Sequence, residues 1–193
     1  MIGIQDGFER CMRTGILLAG LIEFYSYLAS QGRNGKGVEV GCHMGESAEV
    51  AAQFVAHLTC VDPWTPGFPG RPVFDARMAK FSNVTTIVEP SVQAAVHFAD
   101  ESLDFVYIDA MHDYENVTAD ILAWFPKVRP NGFVTGHDYD DMDTHTDVVK
   151  AVKELLGIPE RRFPDSSWLF EKTPALTAQI KGEEVRFCKP VEE

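Results

Sequence analysis

The chain is poor in positive charge. Its 193 residues carry 17 Lys and Arg against 29 Asp and Glu, for a net charge of −12 and a pI near 4.9. Nucleic-acid binding rests on basic side chains that displace counterions from phosphates, so no nucleic-acid partner is expected and a cationic ligand suits the chain better. Long apolar runs are missing too. Nothing approaches the roughly 20 residues of a membrane-spanning helix, so no membrane partner is expected either. The run G-I-L-L-A-G-L-I behind Arg10 and Arg13 has the look of a secretion signal, but Asp6 and Glu9 spoil its basic flank and Glu23 interrupts it. The four cysteines, Cys11, Cys42, Cys60 and Cys188, form no C-x-x-C pair, which excludes the common zinc and dithiol frameworks. Cys42 and Cys60 flank apolar runs and read as reduced, buried thiols, and a cytoplasmic location follows as the expectation.

What is present is rhythm. Hydrophobic residues make up 45% of the chain, enough at this length for a single domain over 1–193 with a sizeable core. A helical pattern over 8–30 forms an N-terminal cap within 1–36. Strand-like runs follow at 38–40, 58–61, 85–88, 105–108 and 132–135, with helical patterns at 46–57, 91–98, 116–125 and 146–156 and late strands at 167–170 and 185–187. The segment P-W-T-P-G-F-P-G-R-P at 63–72 excludes regular structure and marks 63–82 as a lid loop. Strand and helix alternating at this spacing predict an α/β fold, a doubly wound and mostly parallel sheet with helices on both faces.

Three of the strands stop at an aspartate: Asp62, Asp109 and Asp138. One such residue is most simply a cap for the following turn. Three place carboxylates together, because open parallel sheets bind ligands beyond the carboxyl ends of their strands. In L-D-F-V-Y-I-D-A-M-H-D-Y-E, residues 103–115, the apolar strand delivers Asp109, His112, Asp113 and Glu115 in quick succession. The first strand leads into V-E-V-G-C-H-M-G-E-S-A, residues 38–48, where Gly41 and Gly45 allow a tight turn. The spacing is not the G-x-G-x-x-G of a dinucleotide site, which argues against a nicotinamide dehydrogenase. An acid at the end of the second strand, here Asp62, is placed for the ribose of an adenosine. No Lys or Arg in 38–48 stands ready for a phosphate. A phosphate-free adenosine with a positive centre is S-adenosylmethionine.

E-V-G-C-H-M-G-E-S, T-C-V-D-P-W, S-L-D-F-V-Y-I-D-A-M-H-D-Y-E and V-R-P-N-G-F-V-T-G-H-D, taken in this order, resemble the class I S-adenosylmethionine-dependent methyltransferases. The resemblance is strongest to the small O-methyltransferases related to macrocin O-methyltransferase and the cephalosporin-hydroxylase-like group, over residues 37–138. It implies a central first strand and an antiparallel strand near the C-terminus. It implies Glu39, Gly41, Gly45 and Ser47 around the methionine part of the cofactor, Asp62 on the ribose and Trp64 beside the adenine. It implies a metal-assisted transfer to a hydroxyl of a small molecule, a sugar or a phenol. Asp109, which also borders the cofactor, and Asp138 would then be metal ligands, and His112 in D-x-x-H the general base. Where relatives place another acid before the fifth-strand aspartate, this chain has His137, a softer donor that admits Mn, Fe or Zn beside Mg and is an alternative base. Asp140 and Asp141 stand next to it. The competing reading is a non-catalytic nucleoside-binding or protein-interaction module of the same fold.

The acceptor itself is not written in these motifs. Arg71, Arg77 and Lys80 are the candidates for gripping an acidic substrate group, with solvated lid charges as the simpler account. The N-terminal helix offers Ile16, Leu17, Leu18, Leu21, Ile22 and Phe24 to cover an active site or a second copy in a homo-oligomer. His43 lies in the glycine loop, His57 at a helix end, and His97 and His145 read as ordinary boundary residues.

Overall fold

The apolar runs hydrogen-bond into one sheet. In the computed structural model, which describes residues 15–65, 70–140 and 145–187, the strands are β1 (Lys36–Val40), β2 (His57–Val61), β3 (Val84–Ile87), β4 (Leu103–Ile108), β5 (Val128–Gly136), β6 (Arg161–Arg162) and β7 (Trp168–Glu171). They lie in the order β3-β2-β1-β4-β5-β7-β6. The first five are parallel, β7 runs antiparallel to β5, and β6 antiparallel to β7. The expected α/β architecture, with β1 at the centre and a late antiparallel strand, is the observed one.

Among the described residues seven α-helices surround the sheet: α1 (Ile16–Ser30), α2 (Glu46–Ala51), α3 (Arg71–Met78), α4 (Ser91–Ala94), α5 (Tyr114–Trp124), α6 (Thr146–Leu155) and α7 (Pro174–Phe187). Side chains alternate along each strand, so β4 feeds two cores. Val106 and Ile108 join Val134, Ile121, Trp124 and Val152 on the face covered by α5 and α6. Phe105 and Tyr107 join Leu21, Phe24, Tyr25 and Phe133 under α1. Both Cys42 and Cys60 are buried free thiols. Among the described residues no helix is long and apolar enough to cross a membrane. Cys11, Cys188, Asp141 and the first part of the predicted N-terminal helix lie outside the described residues.

Three elements differ from expectation. The helix predicted over 46–57 stops at Ala51. Its last residues turn, and His57 enters β2 with its N–H on Gly35 and its ring 3.2 Å from the Thr85 hydroxyl. The predicted lid loop contains α3, with Pro72 in the first helical turn, where a missing N–H is harmless. The strand predicted at 185–187 is the end of α7, because β-propensity yields readily to context.

Candidate active site

The loop after β1 is held by backbone geometry. Gly41 (φ 88°) and Gly45 (φ 79°) take conformations that side chains resist, and His43 between them is also left-handed (φ 43°). The Gly41 N–H donates to Val61 at 2.9 Å, while a Cβ on Gly41 would fall 2.1 Å from the Asp109 carbonyl oxygen. The loop therefore lies directly against the exit of β4. Asp62 fastens it to the exit of β2, its carboxylate accepting the His43 N–H at 2.9 Å and the Trp64 N–H at 2.7 Å. Glu39 is fully buried and accepts the hydroxyl of buried Ser47 at 2.5 Å. The Trp64 indole donates to the His43 carbonyl at 2.8 Å, and its ring packs 4.8 Å from Phe74 with Arg71 stacked at 4.6 Å.

The basic residues proposed as substrate grips have other partners. Arg77 and Lys80 converge on the buried carboxylate of Glu49 at 2.6 and 2.5 Å, tying α3 to α2. Arg71 pairs with Asp75 at 2.7 Å. Helix formation over 71–78 has turned expected lid charges into a structural network.

At the exits of β4 and β5 the pairing of Ile108 with Gly136 sets Asp109 beside His137. The His112 Nε2 lies 2.8 Å from Asp138 and 3.5 Å from Asp109. The His137 Nδ1 lies 2.9 Å from Asp138 and 3.9 Å from Asp109. Asp138 itself has φ 62°, a left-handed conformation that Asp tolerates better than most residues and one that concentrates at functional sites. His145, at the start of α6, brings its Nδ1 to 3.5 Å from both Asp138 and Asp140, with its ring 5.1 Å from that of His112. His145 was read as an ordinary boundary residue. No periodic signal in the sequence ties it to Asp138. Of the remaining acids in the 103–115 stretch, Asp113 is a helix cap, accepting the Asn116 N–H at 3.0 Å.

The electrostatics follow from this crowding. Hydrogen bonds to Asp109 and to the closer Asp138 raise His112 to about 10, against a smaller opposing effect of burial. Burial pushes Asp138 up, but His112 and His137 together hold it well below the usual carboxylate range. His112 thus lies between two carboxylates that favour a positive charge at that point. Two sets of donors, Asp109, His137, Asp138 and His112, Asp138, His145, each bring their ligating atoms within 4.8 Å of one another. Such mixed imidazole and carboxylate donors fit Mn, Fe or Zn better than Mg, which favours oxygen throughout.

The sequence model of the family described as "Methyltransferase domain" matches residues 38–139, just over half of the chain. The uncharacterized protein y4gI of Sinorhizobium fredii (strain NBRC 101917 / NGR234) is 29% identical over 144 residues, 66% of this chain and 16% of that protein. The chain thus spans about one sixth of the length of the curated relative it matches. Among solved structures, cofactor-bound Rv0187 from MTB superposes with a TM-score of 0.63 at 15% identity, covering 87% of this chain and 86% of that one. A putative O-methyltransferase from Klebsiella pneumoniae gives 0.60 at 14% identity, covering 86% and 94%. The O-methyltransferase TomG from Streptomyces achromogenes, solved in complex with SAM, gives 0.58 at 15% identity and covers 79% of each chain. At these identities the structural likeness establishes the fold. The family match over 38–139 shows that the chain belongs to the methyltransferase-domain family.

Proposed function

We propose that the domain transfers the methyl group of S-adenosylmethionine to a hydroxyl of a small molecule, a sugar or a phenol, with help from a divalent metal. One observation carries this reading: Asp109, His112, His137 and Asp138 meet at the exits of β4 and β5, against the Gly41 loop. When bound, the cofactor supplies an electrophilic methyl on a sulfonium, and a divalent ion supplies a Lewis acid that makes a hydroxyl more acidic.

The chain's own residues do the rest. Gly41 and Gly45 keep bare backbone at the exit of β1, beside buried Glu39 and Ser47 at the methionine end. Asp62 offers its remaining lone pairs to the ribose, and Trp64 a face to the adenine. Asp109, His137 and Asp138 would hold the ion, with His145 as a further donor. His112, 43% exposed, is the most accessible imidazole of the cluster, and an acceptor meets it first. In its neutral form it would take the hydroxyl proton. The same two carboxylates would hold the ion or favour the proton on His112.

The test begins with calorimetric titration of S-adenosylmethionine, followed by mass analysis of sugars and catechols incubated with the cofactor. A protein that binds no cofactor sinks the reading. Methyl transfer that survives exhaustive chelation removes the metal from it.

A further inference from the structure

Beside the cluster opens a cleft of about 380 Å³, within the range of small-molecule sites. Asp140, Thr146, Val149, Lys150, Lys153 and Glu154 line it. Val149, Lys150 and Lys153 follow Thr146 by three, four and seven residues, so one face of α6 forms its wall. Asp140 joins the cleft to the cluster. The His145 Nδ1 lies 3.5 Å from the Asp140 carboxylate and 3.5 Å from that of Asp138. A molecule in this cleft therefore lies next to the groups that the proposed chemistry uses.

The cations of this cleft stand apart from others in the chain. Arg71, Arg77, Lys80, Lys127, Arg129 and Arg161 are each paired with a carboxylate. Lys150 and Lys153 pair with none among the described residues. Their contacts are aromatic: the Lys150 Nζ lies 4.2 Å from the centre of the Tyr114 ring, and the Lys153 Nζ 5.9 Å from that of Tyr139. Such contacts hold an ammonium in place without neutralising it. Tyr114 stands two residues beyond His112 and Tyr139 directly follows Asp138, so both rings are carried by segments that build the cluster. The acids of the cleft are already engaged. Glu154, one turn from Lys150 on the same helix, accepts the Tyr114 hydroxyl at 2.6 Å, and Asp140 faces His145. Two exposed ammonium groups thus remain for a ligand, in a chain whose net charge is −12.

We propose that this cleft takes the methyl acceptor and that Lys150 and Lys153 bind an oxyanion on it. The substrate is then a hydroxyl compound that also carries a carboxylate or a phosphate, groups that an ammonium meets as a point charge. The hydroxyl half of this proposal rests on the methyl-transfer reading, and the anion half on the two lysines alone. The substrate grip moves from Arg71, Arg77 and Lys80, which are paired, to α6.

The experiment measures kcat/KM for matched acceptors: catechol against protocatechuate, and glucose against glucuronate and glucose 6-phosphate. The proteins are the wild type, Lys150→Gln, Lys153→Gln and the double variant, with Lys36→Gln, at the opposite end of the sheet, as the control. The anionic member of a pair should be preferred, and added salt should weaken that preference. Each single variant should lower the preference about two- to fivefold and the double variant about tenfold, while Lys36→Gln keeps the wild-type ratio. Glucuronate and glucose 6-phosphate tell which oxyanion the lysines favour. A preference for the neutral member, or one that the double variant retains, overturns the oxyanion site although methyl transfer stands. Should none of these compounds be methylated, the oxyanion site is decided by titrating inorganic phosphate and benzoate while the Lys150 and Lys153 side-chain signals are followed by NMR, assigned with the single variants. Shifts in those two signals uphold the site, and their absence overturns it.

Discussion

Replacing Gly41 and Gly45 separately by alanine tests how the cofactor loop is built, because the two glycines share a left-handed backbone but face different neighbours. At φ 88° and 79°, each alanine carries a conformational cost of about 1–2 kcal/mol. At Gly41 the new methyl would stand 2.1 Å from the Asp109 carbonyl oxygen and 2.6 Å from the Ala110 Cα. That backbone cannot retreat freely, since the Asp109 N–H is bonded to Val40 at 2.8 Å. Forced displacement of packed backbone adds about 1–3 kcal/mol, for a total of about 2–5 kcal/mol. At Gly45 the nearest atoms are the Phe74 Cδ2 at 2.9 Å and the Met78 methyl at 3.3 Å, side-chain ends that can shift. The total there should be about 1–2 kcal/mol. Urea denaturation gives both values, and calorimetry with S-adenosylmethionine and Mn²⁺ gives the functional consequence. Gly41→Ala should weaken both ligands, because it moves Asp109 as well as the loop. Gly45→Ala should affect the cofactor alone. Equal destabilisation by the two alanines, or a Gly41→Ala protein that binds both ligands normally, would refute the account of the loop.

Other outcomes follow from the charges. Asp120, on α5, is buried, and burial, aided by the charge of Asp113 and opposed by Ser91, raises it from 3.8 to about 6. A raised carboxyl disfavours its ionised form, so the fold loses about 3 kcal/mol as pH rises through 3.8 to beyond 6. Asp120→Asn should therefore melt higher than the wild type at pH 8 and no higher at pH 3.5, and equal melting temperatures at pH 8 would contradict this. His112 is shifted upwards, so in chelator its contribution is complete below 6.5 and disappears as pH approaches about 10. Asp138 is shifted downwards, so its contribution is present above the ordinary carboxylate value near 3.8 and lost as pH falls through and below it. His112→Gln should flatten the fall in melting temperature between pH 7 and 10, and parallel curves would count against the ion pair. In turnover, His112→Ala should keep cofactor affinity and lower the rate about a hundredfold, and an unaltered rate removes it from the mechanism.

The site was legible in the sequence as far as its features are local. A β-branched or aromatic run that stops at an acid marks a strand exit, and Asp62, Asp109 and Asp138 were found in that way. His145 was not, because no periodicity in the sequence ties it to Asp138. Helix α3 escaped because prolines that break a helix interior are harmless in a first turn. Register is the least local feature of all. Asp109 and His137 share a face only because Phe105 pairs with Phe133 and Tyr107 with Thr135, which carries the same parity to the strand exits. Between Leu103 and Phe105 the pairing partner jumps from Val128 to Phe133, so the irregularity in β5 absorbs the extra residues before the parity is set. A one-residue slip after that point would turn His137 towards the opposite core and leave Asp109 facing no imidazole from β5. The apolar partners of β4 and β5 do more than fill the interior: Phe133 and Thr135, packed on the α1 face, decide which way the next ionisable residue points.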